Sequence, residues 1–70
     1  MTLIEAIELV AKYGNDYAKA YANQALMQWH NMTDDELKIQ CLYIVSNIVH
    51  WRHAKSGVAR AVIKKCAYNK

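Results

Sequence analysis

The chain is expected to fold as an all-α protein, a compact bundle of three to four short helices forming one domain over residues 1–70. Three observations carry that expectation. Apolar residues recur at helical spacing in several separate stretches. Thr2–Glu5 and Thr33–Glu36 both read as capping boxes, the reciprocal Thr/Glu arrangement that starts a helix. The chain has no proline and only two glycines, Gly14 and Gly57, which suits helices joined by short turns.

The first helix should begin at about Leu3, behind the Thr2 cap. Leu3, Ile7, Val10 and Ala11, with Ile4, form its inward stripe, and Glu5, Glu8 and Lys12 face water. Gly14-Asn15 closes it, with the glycine free to take a positive φ. Asn15 or Asp16 can then cap a second helix running from about Asp16 to Trp29. Its alanines (Ala18, Ala20, Ala22, Ala25) favour helix and let neighbours approach closely. Tyr17, Tyr21, Ala25 and Trp29 share one side, flanked by Ala18, Ala22 and Leu26. That stripe reads as core with polar tips at its boundary in preference to a base-stacking platform. In the alternative, Gly14 merely bends one long helix, since a single glycine costs only ~1 kcal/mol. His30-Asn31-Met32 makes the next turn.

The segment Leu37–Arg52 is the most apolar, and the other helices should be arranged around it. At about 100° per residue, Leu37, Cys41, Ile44, Ile48 and Trp51 form one narrow stripe. Val45, Val49 and Leu42 widen it to almost half the circumference, which calls for more than one packing neighbour. Asp34 and Asp35 place negative charge where the helix dipole favours it. The opposite side carries Ile39, Tyr43, Ser46, Asn47 and His50. Apolar and aromatic groups on a polar face suit contact with a second copy or a foreign protein, unless another helix covers them. The last helix is expected over Ala54–Ala67, starting near Ala54 or only after Ser56. Val58, Ala59, Val62, Ile63 and Cys66 point inward, and Gly57, Arg60, Ala61, Lys64 and Tyr68 outward.

Charge is divided along the chain. Residues 1–36 hold all six acids and two lysines, net −4, whereas residues 37–70 hold seven bases and no acid, net +7. One reading is neutralisation between packed helices, with acids gathered at helix starts. The other is a basic surface for nucleic acid or an acidic partner.

No apolar run approaches the ~20 residues that cross a bilayer, and the first residues lack the pattern of a signal peptide. Cys41 and Cys66 sit at helical positions as small apolar residues and not as a disulfide framework. A cytoplasmic protein is expected, without membrane contact. A core this small leaves a homodimer open.

His50 and His53 form only an HxxH pair, and no CxxC or HxxxH pairing supplies zinc ligands. No glycine-rich phosphate loop is present. The acids are mostly at helix caps, which argues against a paired-carboxylate site. These features point to a protein that is not an enzyme and uses no metal or cofactor. Arg60 and Lys64 suit contact with phosphate but read base edges poorly, so nucleic-acid binding would be salt-sensitive.

The run Tyr43-Ile44-Val45-Ser46-Asn47, then Trp51-Arg52 and a helix bearing Arg60, Val62, Ile63, Lys64 and Lys65, is similar to a pattern of small bacteriophage and prophage proteins. In that pattern a Y-x-L-S-N-like helix leads into W-R-G and then a basic amphipathic helix. The likeness covers about the last half of the chain, and His53 stands where the pattern has glycine. The resemblance assigns no functional residue. It implies no particular activity, but small phage proteins of this size are frequently stoichiometric binders that inhibit or redirect a host enzyme, anti-defence and anti-CRISPR inhibitors included. The expected function is therefore binding of a host or defence protein or nucleic-acid-processing complex through Ile39, Tyr43, His50, Arg60, Lys64 and Tyr68. The alternative is a small nucleic-acid-binding protein that contacts phosphates through its last helix.

Overall fold

Thr2 starts the first helix as its sequence demands. In the computed structural model, which describes residues 1–68, helix α1 spans Leu3–Tyr13. The Thr2 hydroxyl accepts the Glu5 N–H at 3.2 Å, and the Glu5 carboxylate accepts the Thr2 N–H at 2.9 Å. The backbone N–H of Thr2, then its hydroxyl, hold the Glu5 carboxyl below its ordinary value. Thr33 and Glu36 repeat the device at the head of α3 (Asp34–Asn47). Between them lies α2 (Asp16–Met27), capped by the Asn15 side chain, which accepts the Ala18 N–H at 3.0 Å. Helix α4 (Ser56–Tyr68) completes the all-α bundle.

Each helix packs against its two neighbours in a closed ring α1–α2–α3–α4, and the diagonal pairs make no close approach. The centre is filled by Ile7, Val10, Cys41, Ile44, Ile48 and Ile63, all fully buried. A buried side chain of this kind contributes roughly 1.5–3 kcal/mol. Helix α2 supplies only Ala18, Ala22 and Ala25 to this core, and their small size lets it sit close against α1 and α3. Burial pushes the Cys41 thiol well above its ordinary value, and hydrogen bonding with Cys66 across the α3–α4 contact adds to the effect.

Several expectations need correcting. The stripe of α2 is rotated from the expected one: Tyr17 is 73% exposed, and Tyr21 and Trp29 are half-buried. The helix presents its alanines instead, because only they allow the approach the ring requires. It also ends at Met27, so Trp29 lies in the following turn. Gly14 has φ −72°, not a positive value. Its requirement is steric: a Cβ there would lie 2.6 Å from the Val10 carbonyl oxygen and 2.9 Å from Val10 Cγ1. Gly14 and Asn15 separate α1 from α2, so there is no single bent helix.

The largest correction concerns the central helix. It stops at Asn47, five residues short of the expected Arg52, with no glycine or proline to end it. Two causes act together. Ser46 Oγ and Asn47 Nδ2 donate back to the carbonyls of Leu42 and Tyr43, each at 2.8 Å, which weakens the last turn. Side chains from elsewhere then take the carbonyls that the helix would have used. Asn15 Nδ2 donates to Asn47 O. Arg60 Nε and Nη2 donate to Ile48 O at 3.2 and 2.9 Å, and Nη2 also to Trp51 O at 2.9 Å.

Ile48 and Trp51 stay buried, as their stripe predicts, but as part of a turn and not of a helix. Trp51 Nε1 donates to Tyr13 O at 2.8 Å, tying this turn to the end of α1. His53 stacks on Trp51 and meets Tyr13 at a tilt, with ring centroids at 5.8 and 4.9 Å. Its Nδ1 accepts the Lys55 N–H at 3.0 Å, just ahead of α4. Helix α4 begins two residues later than the earlier alternative, with the Lys55 carbonyl accepting the Ala59 N–H. Val58 faces outward and not inward, as do Leu42 and Val49. No helix among the described residues is long and apolar enough to cross a membrane.

Candidate partner-binding surface

The early end of α3 shapes the surface beside it. Once the helix stops at Asn47, Val49 no longer follows the buried stripe and is 61% exposed. Together with Val45 and Ser46 it forms one wall of a cleft of about 390 Å³ between α3 and α4. Arg60, Lys64 and Tyr68, one helical turn apart along α4, form the other wall. Tyr68 is 57% exposed, so its ring is available at the rim.

The polar groups of the cleft are less free than their names suggest. The Ser46 hydroxyl is committed to Leu42 O. The Arg60 guanidinium is committed to Ile48 O and Trp51 O, so Arg60 holds the turn after α3 and does not project as a free basic group. That corrects its expected place on the outward basic face. Lys64 is exposed and is left as the cation of this cleft.

Two shallower depressions adjoin it. One is bounded by Ala61, Lys64, Lys65 and Tyr68, the other by Val49, His50, Trp51, Arg52, Ser56 and Arg60. Among the described residues, none of the three is lined by an acidic side chain. The acids stand elsewhere: Glu5 and Glu36 serve the capping boxes, Asp16, Asp34 and Asp35 lie in first helical turns, and Glu8 is exposed on α1. The end of α3 and the outer side of α4 thus share an apolar and cationic strip.

The six residues singled out from the sequence fall into two groups. Arg60, Lys64 and Tyr68 line the cleft, and His50 joins them through the depression it shares with Val49 and Arg60. His50 reaches this place from the turn after α3, not from the helix. Ile39 and Tyr43 are half-exposed on α3 itself, and the Tyr43 ring leans toward α2, 5.1 Å from the ring of Tyr21. Neither lines the cleft or the depressions beside it. Sequence reasoning missed Val49, which it assigned to the core, whereas Val45 is buried as expected and shows only its edge to the cleft. The apolar character of Val49 fits either place, and only the helix end decides between them.

Among the described residues, metal ligation has little to work with in this strip, whose lining holds one imidazole, His50, and no carboxylate side chain. Among the described residues no three His, Cys, Asp or Glu side chains gather at ligating distance. What the strip can do is bury an apolar ridge and pair a negative charge with Lys64 or Lys65. No family model, no curated protein and no solved structure matches this chain.

Proposed function

We propose that this protein is a non-catalytic binder that docks a macromolecular partner on the α3–α4 strip and inhibits or modulates it. The observation that carries this reading is the cleft itself: exposed Val49 and Tyr68 stand beside Lys64, in a bundle whose core has no need of them. Exposed apolar groups gathered in a concavity with a charged rim are the common anatomy of a protein-docking site. The likeness of the second half to small phage proteins supports a finer version, in which the partner is a host or defence protein.

A second reading, phosphate-backbone binding to nucleic acid, is favoured by one observation. Arg52, Lys64 and Lys65 line adjoining depressions that no acid shares. It is weakened by Arg60, whose donors are already engaged.

The test is a pull-down from bacterial lysate with the tagged protein, with and without nuclease, run beside Val49→Glu and Lys64→Glu. A stoichiometric protein that survives nuclease and is lost with either substitution supports the binder. Recovery of nucleic-acid-associated proteins alone, abolished by nuclease or by moderate salt, transfers the strip to the second reading. Capture that ignores both substitutions removes the strip from the function.

A further inference from the structure

We infer that the partner element seated in the α3–α4 cleft is an acidic amphipathic helix; this inference deepens the docking role proposed above and rests on it. Three observations select that chemistry. The first is the state of the cleft's backbone. Its walls are two helix ends and a turn: the amides there are paired within α3 and α4, and the carbonyls of Asn47, Ile48 and Trp51 after α3 accept from Asn15 and Arg60. An extended strand laid there would find no ladder to join, and its own backbone would go unpaired. A helix brings its hydrogen bonds with it and offers only side chains to the groove.

The second observation is size. Arg60, Lys64 and Tyr68 are successive i, i+4 positions, so the α4 wall runs for two turns, about 12 Å at 1.5 Å per residue. That length matches the i, i+3/i+4, i+7 anchors of one helical face, a ridge of the partner lying between Val45 and Val49 on one side and Tyr68 on the other. The third is charge. Lys64 and Lys65 flank the apolar floor, Arg52 lies beyond Val49, and among the described residues no acidic side chain lines any part of the strip. A carboxylate placed one turn from the apolar anchors meets a lysine; a basic side chain there meets only repulsion.

Nucleic acid fits these walls less well. The valines give a phosphate nothing, and the guanidinium that would hold one is bound to two carbonyls. Small-molecule anions satisfy the lysines but leave the apolar floor open. The chain's own acidic helix start, Asp34-Asp35-Glu36 followed by Ile39 and Tyr43, carries the same combination of charge and apolar groups. A second copy is therefore the occupant that the test must separate from a foreign helix.

The experiment selects a randomised library of displayed 16-residue peptides on the full chain, with counter-selection on Val49→Glu. The winning peptides are titrated into isotope-labelled protein by NMR, alongside single-stranded and duplex DNA. The expected result is enrichment of net-negative sequences with apolar residues at helical spacing. Their titration shifts the amide signals of Val45, Val49, Lys64 and Tyr68, and Lys64→Glu weakens them by about tenfold. Enrichment of neutral, basic or non-helical sequences overturns the inference, as does an empty selection or a stronger response of the same signals to DNA.

Concentration-dependent self-association of the free protein that Val49→Glu abolishes also overturns it, by giving the cleft to a second copy. The docking role fails separately: its lysate partner would ignore Val49→Glu while the selected acidic helices still map to the cleft. Val49→Glu places its charge on an exposed turn residue, and an unchanged amide spectrum away from the cleft shows that the variant is folded.

Discussion

Replacing Arg60 by alanine removes three hydrogen bonds from a charged donor and leaves the carbonyls of Ile48 and Trp51 without their side-chain partner. Bonds to a charged group are worth about 1.5–3 kcal/mol each when the partner is shielded from water. Arg60 is half-buried, so water recovers part of this, and a net cost of about 2 kcal/mol is expected. In a domain of this size each kcal/mol lowers the melting temperature by about 4–8 °C, so Arg60→Ala should melt about 8–16 °C below the parent. Arg60→Lys keeps the charge but cannot fork onto two carbonyls, and should recover only about half of the loss. Lys64→Ala, at an exposed position one turn away, should stay within about 0.5 kcal/mol. Thermal and urea unfolding followed by circular dichroism at 222 nm would rank the three. An Arg60→Ala protein melting within about 2 °C of the parent would refute the reasoning, and would return Arg60 to the solvated basic face that its sequence suggests.

The other expectations use the same unfolding assay or simple chemistry. Gly14→Ala should cost about 1–3 kcal/mol because its methyl collides with the Val10 carbonyl and side chain. Gly57→Ala, with nothing within 4 Å of the added methyl, should instead stabilise α4 by about 0.5 kcal/mol. Asn15→Ala should cost more than Thr33→Ala, about 2 against about 1 kcal/mol, because Asn15 both caps α2 and donates to Asn47 O. Cys41 keeps its proton in the folded chain above pH 9.0, its ordinary value, where the unfolded chain loses it. Stability should therefore be intact below pH 9.0 and fall as the pH rises above it, by up to about 1.4 kcal/mol per pH unit. Cys41→Ser should flatten that slope in a urea series from pH 8 to pH 10. Native alkylation should accordingly label the half-buried Cys66 before the buried Cys41.

The helix starts were legible because their causes are local. Thr2, Asn15 and Thr33 each cap a turn formed by the next few residues, and nothing distant is needed to satisfy those amides. The all-α class followed from the same local signals, together with apolar spacing and the absence of proline. The inward positions of Ile7, Val10, Cys41, Ile44 and Ile63 followed as well, since a continuous helix fixes which side chains share a face. The division of charge at residue 36 is likewise a property of the sequence alone, whereas which of those charges share a surface depends on the fold.

The end of α3 was decided only in three dimensions. Nothing between Ile48 and Arg52 forbids helix, and the apolar stripe continues smoothly to Trp51. The helix stops where Asn15, 32 positions earlier, and Arg60, 12 positions after Ile48, bring donors to the carbonyls of Asn47 and Ile48, the latter also accepting the Trp51 N–H of the turn that replaces the helix. No local pattern encodes such a partner. With that end go the placement of Val49 and His50, the inward turn of Arg60 and the cleft between α3 and α4. Tyr17 and Val58 lie outside for a related reason: periodicity names a helix's apolar side only to within a residue or two. The ring of neighbours, closed here by the small side chains of α2, chooses which edge of that side is covered.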